Sequence, residues 1–150
     1  MPSSYAALNY HLVFSTKNRV AHITSDIQER LYSYVGGIVR KEKGQLIAAG
    51  GIPDHVHFLM TLHPTIAVAD LMRVVKANSS KWLHESFPSK AGFGWQDGYG
   101  AFTVSNSNID QVKKYIADQE EHHRTMTFQE EFIVFLKKHN IPYDERYIWA

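Results

Sequence analysis

The chain has 150 residues, 44% hydrophobic and 13% aromatic, enough to bury one sizeable core and too few to suggest two. Sixteen Lys and Arg against fifteen Asp and Glu give a net charge of +1, which excludes the strongly basic footprint of a general nucleic-acid binder. With no cysteine, disulfides and thiolate metal sites are excluded too, and no apolar run approaches a membrane span.

One domain over residues 1–150 is therefore expected, with no membrane partner. The opening Met1-Pro2-Ser3-Ser4-Tyr5 lacks the basic and apolar regions of a signal peptide, which points to a cytoplasmic protein. Charge is unevenly spread. Residues 1–81 carry nine basic and five acidic side chains and residues 82–150 seven and ten, so positive potential is confined to part of the surface, which permits an anionic partner.

Residues 7–16 read as a first strand that runs out into Lys17, Asn18 and Arg19. Two cations at a strand exit suit a phosphate contact as well as they suit solvent. Ser25 with Gln28 predicts a capping box for a first helix, whose apolar positions Ile27, Leu31, Tyr34, Val35 and Ile38 recur at helical spacing until Gly44. Residues 45–50 predict a short strand, and Gly51-Ile52-Pro53-Asp54 a turn into His55-Val56-His57-Phe58-Leu59-Met60. Side chains of a strand alternate, so His55, His57 and Leu59 share one face and Val56, Phe58 and Met60 the other. If the apolar trio enters the core, two imidazoles stand side by side on the open face, close enough to hold one metal ion. An ordinary polar strand surface has the same pattern.

Residues 65–86 predict a second helix, with Val68, Leu71, Met72, Val75, Trp82 and Leu83 turned to the core. Its outer side carries Arg73, Lys76, Asn78, Ser80 and Lys81, suited either to solvent or to a sugar-phosphate backbone. The glycines and aromatics of residues 93–100 lead into a fourth strand at 101–105. They are not a phosphate loop, because neither a Lys-Ser/Thr pair nor a helix follows, so no nucleotide triphosphate is expected. Strand, helix, strand, strand, helix, strand is the order of a ferredoxin-like (RRM-like) α+β sandwich, a four-stranded antiparallel sheet with two helices on one face and the first and third strands central. A third helix follows, with Asn108 and Gln111 as its capping box and Ile109, Val112 and Ile116 as its anchoring stripe. Tyr115 and Gln119, four residues apart, project from one side of it, and His122 and His123 come a turn later. Thr127 and Glu130 cap a C-terminal helix with Phe128, Phe132, Phe135 and Leu136 apolar.

Were the third helix to lie across the open sheet face, Gln119 would reach the histidine pair with Tyr115 beside it. Two imidazoles and an amide oxygen are neutral, so a divalent ion among them would present its charge undiluted to a phosphodiester. A protonated tyrosine is a poor nucleophile, but beside a metal-polarised phosphate its oxygen can attack in line and form a phosphotyrosine ester. Such an ester keeps the energy of the cleaved bond, and a DNA hydroxyl can reseal it without a nucleotide triphosphate.

His55-Val56-His57 after Pro53-Asp54, the stretch Trp95-Gln96-Asp97-Gly98-Tyr99-Gly100-Ala101-Phe102, Tyr115-Ile116-Ala117-Asp118-Gln119, the His122-His123 pair and the ending Tyr143-Asp144-Glu145-Arg146 together resemble the single-tyrosine HUH transposases of small bacterial insertion sequences, the IS200/IS605-like family. The resemblance runs from about Tyr5 to Trp149. It implies His55 and His57 as metal ligands with Gln119 as the third, Tyr115 as the nucleophile that becomes linked to a 5′-phosphate, and Mg²⁺ or Mn²⁺ as the ion. It further implies single-stranded DNA with imperfect hairpin ends as substrate, and a homodimer in which each Tyr115 helix serves the partner's sheet. Lys17, Arg19, Arg73 and Lys76 are assigned to DNA by charge and place alone. Two other readings stay open: a domesticated relative acting on repeated chromosomal palindromes, and a non-catalytic module binding single-stranded nucleic acid, which would carry stacking aromatics where this sheet carries histidines.

Overall fold

A computed structural model describes residues 4–150, so the reading of Met1-Pro2-Ser3 lies outside the described residues. Strands β1 (Asn9–Ser15), β2 (Gln45–Ile52), β3 (His55–Thr61) and β4 (Gly100–Thr103) form one antiparallel sheet in the order β2-β3-β1-β4. Helices α1 (Ser25–Lys41) and α2 (Val68–Ser86) pack on one face of it. On the other lie α3 (Ile109–Ala117), α4 (Gln119–His122) and α5 (Phe128–Lys138). This is the expected ferredoxin-like sandwich with β1 and β3 central, plus the extra helices.

Alternation along β1 and β3 explains why both faces are filled. Leu12, Phe14, Val56, Phe58 and Met60 point toward α1 and α2 in the main core. On the opposite face Val13 meets Phe128, Phe132 and Leu136 of α5, and Leu59 meets Ile116 of α3. The histidine face is therefore not the open surface expected from the sequence: His55 and His57 are fully buried. The apolar stripes of α3 and α5 need a partner, and this sheet face supplies it.

Several boundaries differ from the sequence reading, each for a local reason. The α1 cap is Thr24, whose backbone is extended, and Ser25 is already helical. Gln28 does not close a capping box, because its amide donates to Tyr32 Oη and to the Gly51 carbonyl. β2 runs on to Ile52, paired with His55, so only Pro53 and Asp54 make the turn. A turn at residues 63–66, with Ile66 N–H donating to the His63 carbonyl at 3.0 Å, delays α2 to Val68. β4 begins at Gly100 and ends at Thr103, where pairing with Tyr10 stops. Asn108 caps α3 with its backbone alone, since a 3₁₀ turn at Asn106–Asn108 holds it outside the extended conformation that a side-chain cap needs. The Thr127–Glu130 box on α5 forms as expected.

α3 reaches the sheet across Gly50 of β2. A Cβ built there would stand 2.3 Å from the Ile116 carbonyl oxygen and 2.9 Å from Ile116 Cγ2, so the helix can sit this close only because the position has no side chain.

Candidate active site

β3 aims His55 and His57 into the space beneath α3, α4 and α5, and the helices return three polar side chains to them. Gln119, at the start of α4, brings Oε1 to 3.1 Å from His55 Nε2. His123, just past α4, places Nε2 at 3.0 Å from that same amide oxygen. Glu131 of α5 presents Oε1 at 2.9 Å from His57 Nε2, 3.1 Å from His123 Nε2 and 3.4 Å from His55 Nε2. One ligand atom from each of His55, His57, His123 and Glu131 lies within 4.8 Å of the others.

The outer nitrogens of the three imidazoles are engaged elsewhere. His55 Nδ1 lies 2.8 Å from Asp54 Oδ1, His57 Nδ1 2.8 Å from His11 Nε2, and His123 Nδ1 2.6 Å from the Met126 carbonyl oxygen. Holding Nδ1 this way fixes each ring with Nε2 toward the centre, the arrangement that metal-binding histidines use. Three imidazole nitrogens, an amide oxygen and a carboxylate oxygen thus converge on one point, and this set fits a divalent first-row ion.

Electrostatics follow from burial. Desolvation opposes charge on His55, but the carboxylates of Asp54 and Glu131 outweigh it and raise its pKa to about 9. Burial lowers His57 to about 4 and His11 to about 3, the latter helped by neighbouring His57. Burial works against the Glu131 anion as well, yet hydrogen bonds from His123, His55 and His57 overcome it and hold the carboxyl well below its usual range.

Tyr115 comes from the last turn of α3, one helical turn before Gln119, whose Nε2 donates to the Tyr115 carbonyl at 3.3 Å. Its phenol donates a short hydrogen bond to Glu131 Oε2 and lies 3.1 Å from His122 Nε2. Burial and the Glu131 anion both push the phenol pKa up. The structure thus brings His55, His57, Gln119 and Tyr115 together as the sequence implied. It does so within one chain, whereas the resemblance implies exchange between partners.

Sequence reasoning gave no place in the cluster to His11 and Glu131, and it singled out His123 only as part of the His122-His123 pair. Glu131 brings one negative charge to a group that the sequence reading held to be two imidazoles and an amide. A signal existed for Glu131: it occupies the stripe of Phe128, Phe132 and Phe135, where a buried carboxylate requires partners.

The basic residues lie elsewhere. Lys17 is exposed, and Arg19 is half-buried with its guanidinium donating to the Trp149 carbonyl at 3.1 Å. Arg73 is exposed, 3.5 Å from Asp70. Lys76 donates to the carbonyls of Gln96, Asp97 and Gly98 at 2.9, 3.1 and 2.6 Å and lies over the rings of Phe14 and Tyr99. Its three protons are engaged in pinning that loop.

The site is thus a ferredoxin-like sheet with paired histidines, an amide and a tyrosine gathered under added helices. Over residues 4–119 the chain matches the family described as "Transposase IS200 like", and it belongs to that family. His122, His123 and Glu131 lie past the matched segment. The chain is 27% identical over 117 residues to the ISDra2 transposase TnpA of Deinococcus radiodurans, covering 75% of this chain and 84% of that one. It is 26% identical over 115 residues to the transposase for insertion sequence element IS200 of Salmonella typhimurium, covering 73% and 75%. Among solved structures, a chain assigned as a transposase from Deinococcus radiodurans R1 superposes with a TM-score of 0.66 at 27% identity, over 79% of this chain and 95% of that one. A REP-associated tyrosine transposase bound to a REP hairpin shares the fold, with a TM-score of 0.57 at 16% identity over 79% and 70%.

Proposed function

We propose that this chain cuts and rejoins single-stranded DNA beside hairpin ends, with Tyr115 as nucleophile and a divalent metal held by His55, His57, Gln119, His123 and Glu131. The observation that carries the reading is the shared carboxylate: one oxygen of Glu131 meets the imidazole cluster and the other receives the Tyr115 phenol. Nucleophile and ligand set are thereby registered to each other within a single covalent frame. Family membership supports the same reaction class.

In the forward step the Tyr115 phenolic oxygen bonds to phosphorus and the bond from phosphorus to the upstream 3′-oxygen breaks. The phenolic proton leaves to its acceptor, Glu131 Oε2, and the departing 3′-oxygen takes up a proton to become a hydroxyl. The DNA 5′-phosphate stays on Tyr115 as an ester. Rejoining is the reverse, with a 3′-hydroxyl attacking that ester. A divalent ion bound in the cluster supplies polarisation of the phosphate and offsets its developing charge. Three nitrogen ligands beside two oxygens favour Mn²⁺ over Mg²⁺, which prefers oxygen.

The covered sheet argues against the binding-module alternative, which needs an open face for bases to stack on. Lys17, Arg19 and Arg73 serve as contacts to the DNA backbone, where Lys76 acts through the loop that it holds. A homodimer, as the resemblance implies, would carry two self-sufficient sites. Incubation with labelled single-stranded DNA spanning a flanking hairpin, with Mn²⁺, tests the proposal: a covalent protein–DNA band on a denaturing gel is expected, and its absence under every divalent metal would overturn it.

A further inference from the structure

The Tyr115 phenol meets Glu131 and His122, and together with them it lines a cavity of about 330 Å³ between α3 and α5. Val112 of α3, Met126 and Val134 and Phe135 of α5 make its apolar wall, and Gln111 and Lys138 stand at its rim. Phe135 is braced rather than free. Its ring stacks on Phe102 at 5.1 Å and meets Tyr115 edge-on at 5.8 Å. Val134 is 52% exposed, one of the few large apolar side chains left open to solvent among the described residues, and Lys138 lies one helical turn beyond it.

We propose that this cavity is a nucleotide subsite that takes the base of the nucleotide remaining attached to Tyr115, with the Lys138 ammonium toward the next phosphate on its 3′ side. The inference rests on the reaction proposed above and adds to it the placement of the substrate. In-line displacement puts the leaving 3′-oxygen opposite the phenolic oxygen, so the departing nucleotide extends away from Tyr115. The retained nucleotide is joined through its 5′-oxygen, to one side of that line, and can fold back beside the nucleophile. The space beside the nucleophile is this cavity. Its chemistry matches a base: a flat, rigid aromatic and aliphatic wall for the ring, an amide at the rim for its edge, and a cation for the adjoining phosphate.

The test is a scan of a 3′-fluorescein-labelled single-stranded oligonucleotide spanning a flanking hairpin, with one abasic position at a time, read as adduct yield and as anisotropy. The scissile phosphate is mapped by sequencing the released strand. Loss of the base immediately 3′ of that phosphate should lower binding and adduct formation about tenfold, the scale of one stacked base. In Val134→Glu, which changes an exposed side chain, the ratio of intact to abasic substrate at that position should collapse toward one. General repulsion lowers both substrates and leaves the ratio alone, so the ratio isolates the subsite. Equal handling of intact and abasic DNA by the wild type, a penalty falling on the base 5′ of the scissile phosphate, or an unchanged ratio in Val134→Glu would each overturn the subsite while a Tyr115 adduct still stands. Failure to form any Tyr115 adduct would instead overturn the reaction, and the subsite with it.

Discussion

Glu131 joins Tyr115 to the imidazole cluster: its Oε1 lies 2.9 Å from His57 Nε2 while its Oε2 accepts the Tyr115 phenol. Replacing the carboxylate by an amide keeps the shape and removes both the charge and one acceptor. Glu131→Gln should therefore lower adduct formation by about 100-fold or more, the scale on which a lost proton acceptor is felt, and should weaken Mn²⁺ binding measured by calorimetry. Wild-type adduct yield and Mn²⁺ affinity in this variant would assign Glu131 to packing alone.

The imidazole cluster makes a second prediction. His55→Ala and His57→Ala should abolish cleavage yet keep much of the hairpin affinity, because phosphate contacts supply most of it. His11, which reaches the cluster through the outer nitrogen of His57, should act one step removed: His11→Phe is expected to reduce Mn²⁺ affinity by about 10- to 100-fold without loss of folding. Titrations showing unchanged Mn²⁺ affinity in all three variants would return these histidines to a structural role.

Close approach at Gly50 gives a third. Gly50→Ala places a Cβ against the Ile116 backbone, which cannot swing aside as a flexible side chain would. α3 must shift, and a cost of about 1–3 kcal/mol is expected for such overpacking. Because Tyr115 and Gln119 ride on that segment, adduct formation should fall well beyond what the change in Tm explains. A variant that melts early but cleaves normally when folded would show that α3 need not lie so close.

A fourth concerns ownership of the nucleophile. Gln119 and Tyr115 meet His55 and Glu131 of their own chain, so the proposed site would need no residue from a partner. Mixing Tyr115→Phe with His57→Ala, once subunit exchange is confirmed, should restore no adduct beyond the separate mutants. A site shared across a two-fold dimer would instead recover about one quarter of wild-type sites.

What the sequence revealed follows the range of the interactions involved. Period two on β3 placed His55 and His57 on one face, and an i,i+4 spacing set Tyr115 beside Gln119; both are local geometry, and both survive even though the helix breaks at Asp118 between α3 and α4. The Thr127–Glu130 box is equally local. His11 and Glu131 lay beyond such reasoning, as did the place of His123 in the cluster, because only the docking of α5 over the sheet brings strand, linker and helix together. The same docking closed the face that alternation alone left open. Charge and place also said little about Lys76, whose occupation with residues 96–98 depends on a loop from elsewhere in the chain.

Covalent capture tests the central claim most directly. With Mn²⁺ and 3′-labelled single-stranded DNA spanning a flanking hairpin, the wild type should carry label through a denaturing gel, and peptide mapping by mass spectrometry should place the DNA on Tyr115. Tyr115→Phe keeps the ring that packs against Phe135 and His11 and so should fold normally, yet carry no label. A labelled adduct persisting in that variant, or mapped to another residue, would contradict the account.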